Sequence, residues 1–447
     1  MYSPAEFGVW ALFMSAAFAV PVLAGLRYEI AIVLARTDQG AARLLQSVFI
    51  IGLVFSVLWI FLIFALTALG QRSGAFQVSP AYYLIAPMIL ANAVFQSSLM
   101  WWTRGQLFGR IALMRTLLSA GVVFTQLVLG LTTNLGGLSL IFGTVLGQLF
   151  AAVVVYGVIE KEDRLFRSAH WRALHFRAVL CRYRRMPLYA APYSLQGQGF
   201  TQAVVAVLGN FGSASLAGQY ALGQRIVYYP MTVISSSLGQ AILPRLVSAR
   251  ANLPQFLPFF HGMIRVFLLL LIPIYALLLS YGGIIAQFVL GPKWAPAGEV
   301  MAWLFLPSML LVTGSWFERI FDVLDRQHIQ LALELTSNIL IMIALLSAVY
   351  FLPAIYGVLI TSLGLALYYV VWLFVAFHTA GFPLFGLIRS LLLGLLLFAA
   401  SIIILNAARY FNAPQWAWFG VMFGSFLYYI FVVRYAFLVL NRAKNFF

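Results

Sequence analysis

The feature that most limits what this chain can become is the recurrence, from its first residues to its last, of apolar runs about 20 residues long. A run of that length crosses the hydrocarbon of a bilayer as a helix. A helix is also what lipid demands there, because hydrocarbon offers no partner to an open backbone N–H or C=O. Helix-length segments fall near residues 5–26, 47–69, 81–102, 111–132, 137–159, 190–210, 217–243, 262–282, 298–317, 329–350, 353–377, 386–406 and 415–438. Between them lie stretches such as "GQRSGAFQVSP", "TTNLGG", "GNFGSAS" and "LGPKWAPAGE", whose Gly, Pro, Asn and Ser residues break helices. Of the 447 residues, 63% are hydrophobic and 9% charged, too little charge to cover a soluble protein of this length. The expectation is an all-α polytopic membrane protein of thirteen transmembrane helices.

Charge orients the segments, since Lys and Arg concentrate in cytoplasmic loops. With the first residues outside, alternate connections place 23 basic residues inside and three outside, namely Arg72, Lys293 and Arg409, while Arg225 lies within a helix. The C-terminus is then cytoplasmic. The formal charge of +16 follows from this topology. Scattered over short loops, it does not form the continuous basic face that nucleic acid requires. The first apolar stretch does not read as a secretory signal, because Arg27, Arg36 and Arg43 follow it rather than precede it. A single cysteine, Cys181, excludes an intrachain disulfide and any centre built on paired thiols.

The longest connection, "KEDRLFRSAHWRALHFRAVLCRYRRMP", is basic and carries Trp171, Leu174, Ala178 and Val179 at helical spacing. That pattern suits a helix lying on the anionic inner leaflet. It divides the chain into an N-terminal bundle at 1–160, a linker at 161–187, a C-terminal bundle at 188–378 and two further helices at 379–447. A short internal match supports duplicated bundles. Gly8, Trp10, Ala11 and Leu12 recur as Gly218, Tyr220, Ala221 and Leu222, each 210 residues later. If both motifs open equivalent helices, the segment at 190–210 requires a counterpart ahead of Met1. The first bundle would then hold five of six helices and the second all six, the arrangement of transporters whose repeats rock against each other.

The stretch "YSPAEFGVWALFMSAAFAVPVLAGLRYEIAIVLAR" resembles the beginning of Wzx-type oligosaccharide flippases, in the polysaccharide-transporter branch of the multidrug/oligosaccharidyl-lipid/polysaccharide superfamily. "YRRMPLYAAPYSLQGQGFTQAVVAVLGNFGSASLAGQYALGQRI" with "LGQAILPRL", and "FVLGPKWAPAGEVMAWL" with its Gly291, Trp294, Ala297 and Gly298, are similar to the same proteins. Family members carry a helix ahead of "YSP", in agreement with the repeat. The resemblance implies movement of polyprenyl-diphosphate-linked sugars from the inner to the outer leaflet of the cytoplasmic membrane. It implies no cofactor, and as partners the lipid-linked glycan, membrane lipids and polysaccharide polymerase or export proteins.

Such cargo needs a cationic path for its diphosphate, and arginine suits diphosphate because its planar fork donates two hydrogen bonds at once. Arg225 lies inside an apolar segment, where it must face a cavity or a partner. Gln224 and Tyr228 flank it as groups for sugar hydroxyls; the alternative is an arginine fixed by a carboxylate between helices. Arg27 and Glu29, in "GLRYEIAI", stand near the inner end of the first segment, as an entrance or as a boundary charge pair. Arg104, Arg110 and Arg115 line an inner vestibule or meet headgroups. Gln198 and Gln202 share one helical face and either glue helices or bind glycan. Glu334, within "LALELTSNIL", is a candidate proton or sodium site, or else neutralises an arginine.

Other functions fit less well. A multidrug exporter of the same fold would want buried acids for cationic drugs, and the membrane segments offer few. A glycosyltransferase or polymerase needs activating carboxylates, and no D-x-D, metal cluster or nucleophile–base pair stands out. A non-transporting scaffold of a polysaccharide-assembly complex is the remaining alternative.

Overall fold

The structure, a computed structural model, describes residues 2–73, 79–162, 180–184, 186–248, 250–324, 326–410 and 428–439. Regular structure among them is helical throughout. The chain forms two compact units, residues 1–218 and 219–447. Nine helices among the described residues are long and apolar enough to cross a membrane, with shorter apolar helices at Pro4–Ala19 and Tyr428–Val439. The amphipathic helix expected over the basic connection lies mostly outside the described residues, as does much of the segment at 415–438.

The first unit holds α1 (Pro4–Ala16), α2 (Val20–Leu23), α3 (Tyr28–Leu34), α4 (Asp38–Ser73), α5 (Ile85–Arg104), α6 (Phe108–Thr132), α7 (Gly137–Glu162), α8 (Ala191–Val207) and the opening turns of α9 (Ala214–Gly223). The sequence-based boundary groups α8 with the second bundle, whereas here α8 packs on α1. Ser3 caps α1 in a reciprocal box: the Glu6 backbone N–H donates to Ser3 Oγ at 3.3 Å, and the Ser3 N–H donates to Glu6 Oε2 at 2.7 Å. Pro4, with no N–H to leave open, takes the first helical position. Trp10 Nε1 donates to Thr144 Oγ1 at 3.0 Å, and Gln126 Nε2 donates to the same oxygen at 2.9 Å, tying α1 to α6 and α7.

The expected continuous helix at 5–26 is interrupted. A 3-10 turn occupies Ala17–Ala19, where Pro21 has no N–H for the Ala17 carbonyl. After α2 the chain turns through Leu26 and Arg27, both at positive φ (47° and 64°), before α3 begins.

The glycines of the matched sequence motifs meet within this unit. A methyl built on Gly218 would lie 2.7 Å from Gly8 N and be driven into the Pro4 carbonyl; one built on Gly8 would be driven into the Ala214 carbonyl. The contact is reciprocal, Pro4-x-x-x-Gly8 against Ala214-x-x-x-Gly218. Small residues at that spacing let helix backbones touch in membranes.

The second unit holds α10 (Tyr229–Ser248), α11 (Leu257–Leu290), α12 (Ala297–Gly314), α13 (Arg319–Val323), α14 (Gln327–Phe351), α15 (Ile355–Thr379), α16 (Leu384–Tyr410) and α17 (Tyr428–Val439). The nearly all-buried α12 is its centre, packed by α10, α11 and α15. Its hydroxyls are satisfied inside the helix: Ser308 Oγ donates to the Leu304 carbonyl at 2.6 Å and Thr313 Oγ1 to Met309 at 2.7 Å. Gly298 of α12 faces Gly282 of α11 backbone to backbone. The expected spans at 190–210 and 217–243 are each broken by a wide π turn, at Leu208–Gly212 and Gln224–Tyr228.

Candidate substrate site

The first unit gathers a polar site where α2 ends. Arg27 donates from Nε to Ser194 Oγ of α8 at 2.9 Å, and its Nη1 lies 3.6 Å from Glu29 Oε1. The arginine side chain is 24% exposed and the glutamate side chain 4%, so a ligand can reach the cation and not the acid. The Tyr28 hydroxyl, between them in sequence, donates to the Leu180 carbonyl at 3.1 Å. Of the predicted glutamines on α8, Gln198 is exposed and Gln202 half-buried. Ser194 was missed, although it stands four residues before Gln198 and eight before Gln202, on the same helical face.

Arg104 is not spread over an open vestibule. It clasps the α3–α4 turn, donating from Nη1 to the Ala35 carbonyl at 2.6 Å and from Nε and Nη2 to Asp38 Oδ1 at 3.1 and 2.9 Å. A charged fork on the last carbonyls of one helix and on an acid in the first turn of the next complements both helix ends.

In the second unit the π turn at Gln224–Tyr228 sets neighbouring residues to different tasks. Gln224 is buried, and its side chain bonds to the Tyr220 hydroxyl. Arg225, the next residue, is exposed on the surface of its unit although crowded by protein, with Tyr229 one turn on. Tyr228 and Tyr369 of α15 share a hydroxyl–hydroxyl hydrogen bond of 3.1 Å. The Glu334 carboxylate acts electrostatically on Tyr228, and that of Glu318 on Tyr369. Gln330 Nε2 donates to Glu318 Oε1 at 2.5 Å. Tyr228 is therefore joined to Tyr369, a partner sequence reasoning had not placed there, while Glu334 of α14 lies within electrostatic range of Tyr228. A tyrosine in an apolar helix, as in "LALYYVVW", was the available signal, because a buried phenol needs a partner.

An accessible arginine thus stands in each unit, set among helices able to span a membrane. Residues 1–299 match the polysaccharide biosynthesis protein family, and the chain belongs to that family. Its fold is similar to that of the lipid II flippase MurJ in an inward closed conformation, at 14% identity and a TM-score of 0.70, over 98% of this chain and 94% of that one. It is also similar to an inward-facing multidrug resistance MATE family transporter of the MOP superfamily, at 14% identity and a TM-score of 0.59, over 85% and 91% of the two chains. No curated protein matches. The likeness at this identity is one of fold: a helical, multi-pass membrane protein built like these transporters.

Proposed function

We propose that the chain is a flippase that moves a polyprenyl-diphosphate-linked oligosaccharide across the cytoplasmic membrane by alternating access, for synthesis of a cell-surface polysaccharide. The observation that carries this reading is Arg225. It stands eleven residues past the start of α9, roughly 16 Å along the helix, and is still exposed. An arginine at that depth is costly against lipid, and its fork matches the two phosphates of such a cargo. Arg27 supplies a second accessible cation, Tyr228, Gln198 and Gln202 supply hydroxyl and amide groups for sugar, and Glu334 is the ion-coupling candidate. The basic loops favour a cytoplasmic C-terminus, with residue 1 on the outer side. The fold is shared with a multidrug transporter, but accessible arginines suit an anionic cargo better than a cationic drug.

The test is complementation of a flippase-deficient strain with Arg225→Ala and Arg225→Lys, reading surface glycan beside the amount of inserted protein. Export is lost with Ala and partly lost with Lys, which keeps the charge and loses the fork. Full export by a normally inserted Ala variant removes Arg225 from the site. Normal insertion of native protein with no restored glycan favours a scaffold.

A further inference from the structure

We propose that Glu29 is a proton-binding site, filled when the anionic head of the cargo takes Arg27 away from it. The inference rests on the flippase reading, in which Arg27 meets a diphosphate. Glu29 is 3% exposed, and its Oε2 is buried without a hydrogen-bond partner. That oxygen lies in a niche that needs Gly25: a Cβ on residue 25 would sit 2.6 Å from Glu29 Oε2 and 3.0 Å from Val48 Cγ1 of α4. An ionised carboxylate with one oxygen against a glycine and a valine is expensive unless a positive charge holds it.

Arg27 is that charge, and it holds loosely. Its Nη1 is 3.6 Å from Glu29 Oε1, longer than the ~2.7–2.9 Å of a well-made charge-assisted hydrogen bond. The same guanidinium is also committed to Ser194. Among the described residues, the neighbouring ionisable groups on the packed elements are engaged elsewhere or form no ion pair with it. Tyr28 bonds to the Leu180 carbonyl, Arg104 and Asp38 pair with each other, and Arg43 of α4 makes no ion pair with the carboxylate. Arg27 itself is held in a left-handed backbone conformation beside Leu26, which non-glycine residues retain only where the surroundings enforce it.

The exchange balances in charge. Two phosphate oxygens of the cargo accept hydrogen bonds from the Arg27 fork, and the Nη1–Oε1 contact is given up. The carboxylate, now buried with no counter-ion, takes a proton from water, forming an O–H bond on the acid. Departure of the cargo returns Arg27 to Glu29, and the proton leaves to solvent. Cargo and proton therefore bind together, and the bound head crosses with one negative charge of the site neutralised.

Two measurements test this on full-length protein in detergent, with size-exclusion profiles checking each variant. The first uses no ligand. Arg27→Gln removes the counter-ion, and infrared spectra at neutral pH should show a carboxylic-acid C=O band that is missing from the double variant Arg27→Gln, Glu29→Gln. Absence of the band in the single variant overturns the proton site. The second is calorimetry of farnesyl diphosphate binding in buffers of different ionisation enthalpy. Native protein should take up about one more proton per ligand than Glu29→Gln, which still binds. Equal uptake by the two overturns the exchange. If native protein does not bind the diphosphate while the infrared band is present, the proton site is supported, and both the exchange at Arg27 and the flippase reading fall.

Discussion

Replacing Gly298 by alanine should destabilise the second unit, although alanine is the better helix former. Gly298 stands at the second position of α12 where that helix crosses α11. A methyl on the facing Gly282 would lie 2.7 Å from the Gly298 carbonyl oxygen, and one on Gly298 would be driven into the Gly282 carbonyl. Carbon contacts are comfortable at ~3.5–4 Å, so the two helices must part by about 1 Å. Both obstacles are backbone, and no rotamer can relieve them. Overpacking of this kind costs about 1–3 kcal/mol, against a gain in helix propensity of about 0.8–1 kcal/mol. The net loss is about 0–2 kcal/mol, at the upper end where neither backbone can yield. Gly157 of α7 is the control, because nothing lies within 4 Å of a methyl built there; alanine at that position should stabilise by its propensity alone. The double variant of Gly282 and Gly298 should lose less than the sum of the singles, since one separation of the helices relieves both. Thermal unfolding in detergent, followed by tryptophan fluorescence, orders the variants. A Gly298→Ala protein melting at or above the native temperature would refute the reasoning.

Two other expectations are quickly checked. Arg104→Ala should lower stability by about 1–2 kcal/mol, because charged donors are taken from helix-end carbonyls. Asp38→Ala should cost only about 0.2–1 kcal/mol, its side chain being 66% exposed; the same unfolding assay compares them. Cys181, the only cysteine and an exposed one, reports sidedness: a membrane-impermeant maleimide should label it in inside-out vesicles and not in intact cells, and the reverse pattern would invert the proposed topology.

Much of the architecture is readable from residues because lipid imposes a blunt rule, that long apolar segments be helical. The runs at 111–132, 329–350 and 353–377 sit close to α6, α14 and α15. Interruptions are less legible. A hydropathy window averages over the turn at Gly25–Arg27 and over the π turns at Leu208–Gly212 and Gln224–Tyr228, since apolar residues flank each while the backbone path changes. For the candidate site, isolated charge is what singles out Arg27, Glu29 and Arg225, because charge in an apolar run is costly wherever it faces. Partners joined through tertiary packing were invisible: Ser194 is 167 residues from Arg27, and Tyr369 is 141 from Tyr228. Gly25 gave no signal at all, as its role is to leave room for an oxygen.

The wide turn at Gln224–Tyr228 has a consequence for anyone engineering this stretch. An α-helix advances about 100° per residue, and a π turn absorbs one extra residue before regular winding resumes. Deleting a single residue there should let α9 and α10 wind into one unbroken rod with the faces on either side still in phase, because the residue removed is the one the turn absorbed. The same deletion placed in the regular helix beyond would instead rotate the following segment by about 100°. A one-codon deletion inside the turn is thus a far milder edit than one a few residues further along.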